Sequence, residues 1–123
     1  MNPPSKKHQA AEVKGRQAEA KAALMLRMKG YRVLEKRYRS PAGEIDLIAS
    51  KRGLFVFIEV KARKTVEEAF ESITQKQRQR IEAAANHWIQ NQSSQEFACR
   101  FDVIAVAPGR LPAHMKDAWR PGW

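Results

Sequence analysis

Asp46, Glu59 and Lys61 are the residues whose types and spacing could do chemistry. They stand in two short segments rich in β-branched and aromatic residues, Glu44–Ser50 and Leu54–Arg63, separated by Lys51-Arg52-Gly53. Two such runs around an Arg-Gly step read as a β-hairpin. Side chains alternate across a strand, so parity separates the faces. Ile45, Leu47 and Ala49 share one face of the first arm, and Glu44, Asp46, Ile48 and Ser50 the other. In the second arm Leu54, Val56, Ile58, Val60 and Ala62 oppose Phe55, Phe57, Glu59 and Lys61. With Arg52-Gly53 as the loop, or Lys51 to Leu54 in the same register, Ile45 faces Val60, Leu47 faces Ile58 and Ala49 faces Val56. On the reverse, Ile48 faces Phe57, Asp46 faces Glu59 and Glu44 faces Lys61.

Directly opposed Cβ atoms lie about 4.5–5.5 Å apart, and like charges so placed are destabilising. Two carboxylates in that position must lose a proton, splay into water, or share a cation. A hard divalent cation is the productive solution, because Mg²⁺ takes oxygen ligands, usually one or two carboxylates with waters and substrate phosphate. Such a site supports metal-assisted hydrolysis, the cation lowering the pKa of water and polarising a phosphoryl oxygen. The neighbouring lysine would steady the developing charge or orient the attacking water. The same spacing also fits a Glu44–Lys61 cross-strand ion pair with Asp46 and Glu59 at a solvated sheet end. Spacing alone leaves both arrangements open.

The elements that must position these residues follow from periodicity. Residues 1–10 are polar and read as a flexible basic arm. A helix is predicted from about Ala11 to Lys29, ended by Gly30. Its apolar ridge is Val13, Ala20, Leu24 and Met28, widened by Ala22, Ala23 and Leu26, with Glu19 on the side of the latter group. Residues 31–39 look like a basic edge strand, and Ser40-Pro41-Ala42-Gly43 a turn. A short helical piece at 66–72 leads to Thr74, which with Gln77 forms a capping-box signature. The stripe Gln77, Ile81, Ala84, Trp88 carries that helix to about Gln90, and Asn91–Gln95 is a polar linker. Phe101–Ala107 is almost wholly apolar and reads as a central strand buried on both faces. One further helical turn is expected around Met115–Trp119. The order helix, strand, strand, strand, helix, strand predicts an α/β fold with a mixed sheet.

The chain has 123 residues, with 23 Lys and Arg against 13 Asp and Glu, a net charge of +10. That excess points to a polyanionic partner, nucleic acid or an anionic surface. Membrane binding fits less well, since neither long helix sets a large apolar face against a lysine-lined one. No run approaches the roughly 18 apolar residues of a membrane span. The N-terminus shows no apolar segment after its lysines, and Cys99 stands alone, so a reduced, cytoplasmic setting is expected. One cysteine and three scattered histidines exclude a zinc-finger framework. His87 and His114 have no partner at ligand spacing, and Asp102, with the parity of Ile104 and Val106, reads as a structural hydrogen-bonding residue.

Gly43-Glu44-Ile45-Asp46-Leu47-Ile48-Ala49, followed by Phe57-Ile58-Glu59-Val60-Lys61-Ala62-Arg63, resembles the YraN-type family of small bacterial proteins. That family is similar to PD-(D/E)xK nucleases and to archaeal Holliday-junction resolvases. The likeness extends to Gly15, Ala18, Glu19 and Ala22 before Gly30-Tyr31-Arg32-Val33-Leu34, to Lys76 and Arg80, and to Arg100-Phe101-Asp102-Val103. It implies a restriction-endonuclease-like core, with 11–123 forming a single nuclease-like domain. By the nuclease pattern Asp46 and Glu59 would bind Mg²⁺ or Mn²⁺, with the Val60 carbonyl as a third ligand. Lys61 would be the catalytic lysine and Glu19 an acidic residue contributed by the first helix. The nucleases' proline before the aspartate is replaced here by Ile45. Similarity to junction resolvases further implies a homodimer.

Lys76, Arg78 and Arg80 open the second long helix, where cations suit a phosphate backbone as well as a solvated face. Arg63 and Lys64 follow the second hairpin arm, and Arg37 and Arg39 lie one strand away. On one sheet end these would make an electropositive groove. The leading expectation is a Mg²⁺-dependent endonuclease acting on DNA, including branched DNA. The alternatives are a non-catalytic nucleic-acid-binding module and a basic subunit that docks an acidic partner.

Overall fold

The computed structural model describes residues 6–93 and 98–121. The elements are α1 (Lys6–Met28), β1 (Arg32–Ser40), β2 (Gly43–Lys51), β3 (Leu54–Ala62), α2 (Val66–Glu71), α3 (Gln75–Gln90), β4 (Ala98–Val106) and β5 (Ala113–Trp119). The five strands form one mixed sheet in the order β1-β2-β3-β4-β5. Only the β3–β4 pairing is parallel. Parallel neighbours need a crossover, and α2 with α3 supplies it. The expected α/β architecture is the observed one.

Each face of the sheet has its own core. On one face α1 sets Ala18, Ala22, Ala23 and Leu26 against Leu47, Ala49, Val56, Ile58, Ile104 and Val106. On the other, α3 sets Ile81, Ala84, Ala85 and Trp88 against Ile45, Ile48, Phe57, Phe101 and Val103. The β2–β3 register is the predicted one, with Leu47 opposite Ile58, Ile48 opposite Phe57 and Ala49 opposite Val56. The Thr74–Gln77 capping box is formed as the sequence predicts.

Four expectations are corrected. Helix α1 begins at Lys6, so residues 6–10 are helical rather than an arm; residues 1–5 lie outside the described residues. The ridge of Val13, Leu24 and Met28 faces outward, and the sheet is met by alanines and Leu26. Small side chains let the helix axis approach the strands closely, which the larger ridge would prevent. The segment around Met115–Trp119 is a strand, not a helical turn. Local propensity there yields to the open backbone edge of the buried β4, which β5 covers. Finally, Ile45 joins the α3-side core with Ile48 instead of facing the way of Leu47. The alternation of β2 breaks at Asp46.

Candidate metal centre

The break at Asp46 builds the site. The β2–β3 ladder ends at Leu47 opposite Ile58. In a continued ladder the next hydrogen-bonded pair would be Ile45 with Val60. Instead the Val60 N–H donates to Asp46 Oδ2 at 2.8 Å. The Asp46 carboxylate thus takes the place of a backbone carbonyl. The N–H and C=O of one strand residue point to the same side, so the Val60 C=O also faces the opening between the strands.

Glu59 and Asp46 line this opening together, close enough for the charge of Asp46 to act on Glu59. Burial pushes both up, Asp46 above the usual carboxylate range and Glu59 to about 8, and the charge of Asp46 adds to the effect on Glu59. Lys61 Nζ lies 3.5 Å from Glu59 Oε1 and opposes the shift only in part. Lys61 is itself buried, with 7% of its surface exposed. The Glu44–Lys61 ion pair does not form: Glu44 lies 3.5 Å from Arg39 at the surface, and Lys61 turns to Glu59.

Helix α3 walls the opening. Glu44, Asp46, Glu59, Gln77, Arg80 and Ile81 line a cavity of about 120 Å³. The helix sits this close because position 43 is glycine. A Cβ there would fall 2.4 Å from the Arg80 carbonyl oxygen, below any real contact. Gln77 and Arg80 are one helical turn apart, and Gln77 heads the stripe with Ile81 besides its capping role, so the α3 periodicity carries the signal that these residues share a wall.

The remaining candidates divide. Glu19 stands on the sheet-facing side of α1, close enough for its charge to raise Asp46. Its carboxylate is held by Arg37 Nε at 2.7 Å. Arg37 is thereby committed to Glu19 rather than presented alone. Arg80 is at the cavity, and Arg39, Arg63, Lys64 and Lys76 are exposed. Arg78 packs 5.7 Å over the Trp119 ring with its Nε buried and unpaired, so it does not join the exposed cations. His87 accepts or donates at Nδ1 to the Tyr38 hydroxyl, 2.6 Å away, and ties α3 to β1.

Among the described residues no three His, Cys, Asp or Glu side chains cluster as a metal-binding set. The donor set at the opening is two carboxyls and the Val60 carbonyl, all hard oxygens. Mg²⁺ is bound through few protein ligands and keeps several waters, so this set fits it, and Mn²⁺ with it.

A family model described as "Uncharacterised protein family UPF0102" matches residues 18–106, from the inner face of α1 to the end of β4. The chain belongs to this family. It is 49% identical over 123 residues to a UPF0102 protein of Paramagnetospirillum magneticum, covering 96% of this chain and 95% of that protein. It is 51% identical over 106 residues to a UPF0102 protein of Bradyrhizobium sp., covering 85% and 75%, and 44% identical over 119 residues to one of Rhodopseudomonas palustris, covering 96% and 93%. The match to this uncharacterised family spans all the candidate site residues. Among the described residues no helix is long and apolar enough to cross a membrane.

Proposed function

We propose that the protein is a metal-dependent endonuclease that hydrolyses phosphodiester bonds in DNA, branched DNA included. The observation that carries this reading is the Asp46–Glu59 pair facing one opening at the end of the β2–β3 ladder, with the Val60 N–H on Asp46 and Lys61 beside Glu59. A half-buried pair of carboxyls short of donors is an unfavourable structural element. A divalent cation held between the two would relieve it.

Asp46 and Glu59 would hold Mg²⁺ or Mn²⁺ with the Val60 carbonyl. When bound, the ion supplies Lewis-acid polarisation of a phosphoryl oxygen and acidifies water. The chain's own residues do the rest. The Val60 N–H fixes the Asp46 carboxylate, so its orientation needs no reorganisation when substrate arrives. Lys61, buried against Glu59, is placed to meet negative charge at the reacting phosphate. Arg80 at the cavity and the exposed Arg39, Arg63, Lys64 and Lys76 hold the flanking backbone by charge, without a base-reading element. Glu19 acts through Arg37 and the field at Asp46 rather than as a ligand.

The test is single-turnover cleavage of labelled duplex and four-way-junction DNA in Mg²⁺ or Mn²⁺. Asp46→Ala and Glu59→Ala are each expected to lower the rate by about 10³-fold or more, equivalent to about 4 kcal/mol, with DNA affinity retained. Cleavage unchanged in both variants would end the proposal. The exposed cations Arg39, Arg63, Lys64 and Lys76 also support, as a second reading, a binding module without chemistry. Calorimetric titration with Mn²⁺ separates the two, since the binding module takes up no ion that Asp46→Ala abolishes.

A further inference from the structure

The nucleic-acid reading uses cations at one end of the sheet, yet the opposite end holds a second set. Where the β2–β3 hairpin turns beside the end of α1, Lys29, Arg32, Lys51 and Arg52 surround Gly30 and Gly53 in a cleft of about 510 Å³. No carboxylate lines it. Two of the cations are fixed in place. Lys51 Nζ donates to the Lys29 carbonyl at 2.7 Å and lies 4.9 Å from the Tyr31 ring centre. Lys29 Nζ lies 3.1 Å from His114 Nδ1. Arg32 and Arg52 are exposed, and among the described residues neither has an ion pair.

The turn itself is built against preference. Arg52 has φ 50° and Gly53 φ 78°, the two left-handed positions of a two-residue hairpin loop. Asn or Gly suits the first position, and a non-glycine residue there carries a conformational cost. Arginine at that place holds a guanidinium at the very tip of the sheet.

We propose that this cleft is a second phosphate-backbone contact, which grips a duplex arm of the same nucleic-acid substrate at a distance from the metal centre. The inference rests on the proposed nuclease reading and adds where the substrate lies. From Asp46 to Lys51 the strand rises about 17 Å, at about 3.3 Å per residue. Duplex DNA advances about 3.4 Å per base pair, so the contact falls about five base pairs from the scissile phosphate. Between the two ends runs the edge strand β1, with Arg32 opposite Ser50, Lys36 opposite Leu47 and Arg39 opposite Glu44. Its acid, Glu35, is exposed, and cations outnumber it along the strand. Arg37 and Arg39 are paired with Glu19 and Glu44, so Arg32 and Lys36 are the cations of this edge without an ion pair among the described residues, and both lie toward the cleft. No large exposed hydrophobic residue lines it to enter a lipid surface.

The experiment compares the full-length chain with an R32Q/R52Q variant, both changes at exposed positions. An R110Q/K116Q variant removes the same charge near the far edge of the sheet. Binding is read by fluorescence anisotropy in chelator over a salt series, on duplexes whose arm beyond the cleavage position is either three or twelve base pairs. R32Q/R52Q is expected to weaken long-arm binding about tenfold and to reduce the slope of log affinity against log salt by about 2. Short-arm binding and the single-turnover cleavage rate at saturation should match the unmodified protein, and R110Q/K116Q should lose little. Equal losses in both variants, no loss, or a loss independent of arm length would overturn the proposal. So would a finding that R32Q/R52Q abolishes binding to anionic phospholipid vesicles and leaves DNA binding intact. If the unmodified protein binds and cleaves DNA and R32Q/R52Q behaves identically, this inference fails alone. If the unmodified protein binds no DNA, the nuclease reading fails with it.

Discussion

A buried carboxylate and a half-buried pair lie in this small sheet, and they are solved in opposite ways. On β4, Asp102 is fully enclosed and saturated with donors. Arg100 reaches both its oxygens at 2.8 Å, His114 Nε2 lies 2.7 Å from Oδ2, and the Asp117 N–H donates to Oδ1 at 3.0 Å. Burial by itself would raise this carboxyl, but the bonds from His114, Arg100 and the Asp117 N–H outweigh it and hold Asp102 below the usual range. At the other site Asp46 has one backbone N–H, Glu59 has one lysine at 3.5 Å, and both are pushed up. One acid is finished by the protein. The other pair has few donors. Burial alone does not mark a functional acid, since Asp102 is the more buried residue; the balance of donors does.

This contrast can be broken or sharpened by substitution. The largest effect on stability is expected at Asp102. Asp102→Ala strips the partner from Arg100 and His114 and should cost about 3–5 kcal/mol in urea unfolding. Because the folded-state pKa is lowered, the contribution of Asp102 is present above about pH 4 and disappears as the pH falls through the folded value. An Asp102→Ala protein as stable as its parent at pH 7 would erase the distinction between the two sites.

Gly43→Ala comes next. The added methyl must displace the Arg80 carbonyl and push α3 away from the metal centre. We expect a loss of about 1–3 kcal/mol, with weaker Mn²⁺ uptake than the stability loss alone explains. Unfolding curves and calorimetry on one preparation measure both.

The smallest shift has the opposite sign. In the metal-free protein the contribution of Glu59 is full below about pH 4.3 and is lost as the pH rises through its folded value of about 8. Glu59→Gln should therefore stabilise the metal-free chain by about 1 kcal/mol at alkaline pH and by little at pH 5. Saturating Mg²⁺ should reverse the order, since only the parent gains from binding. Identical pH profiles for parent and variant would show that Glu59 is not held under such tension.

Much of this was legible before any coordinates. The Arg-Gly turn sets the hairpin register as far as Leu47 opposite Ile58, because a two-residue loop leaves little choice, but the alternation breaks at Asp46 and parity does not describe how it reaches Glu59. Thr74 and Gln77 announced the start of α3 because a capping box is local chemistry. The ridge on α1 departs from expectation for a different reason: Val13, Leu24 and Met28 are more apolar than Ala18 and Ala22, but only the distance between helix and sheet decides which set fits. The strand at Ala113–Trp119 was hidden likewise, since its formation depends on the edge of β4 and not on its own residues.

The sequence by itself determined the mixed α/β architecture and the hairpin register as far as Leu47, because periodicity and turn chemistry act over a few residues. Only the tertiary structure decided that the ladder ends at Leu47, that Asp46 takes the Val60 N–H, that Arg37 belongs to Glu19, and that Asp102 is satisfied where Glu59 is not. Whether a buried charge is comfortable depends on every donor that packing brings to it, and those donors come from distant parts of the chain.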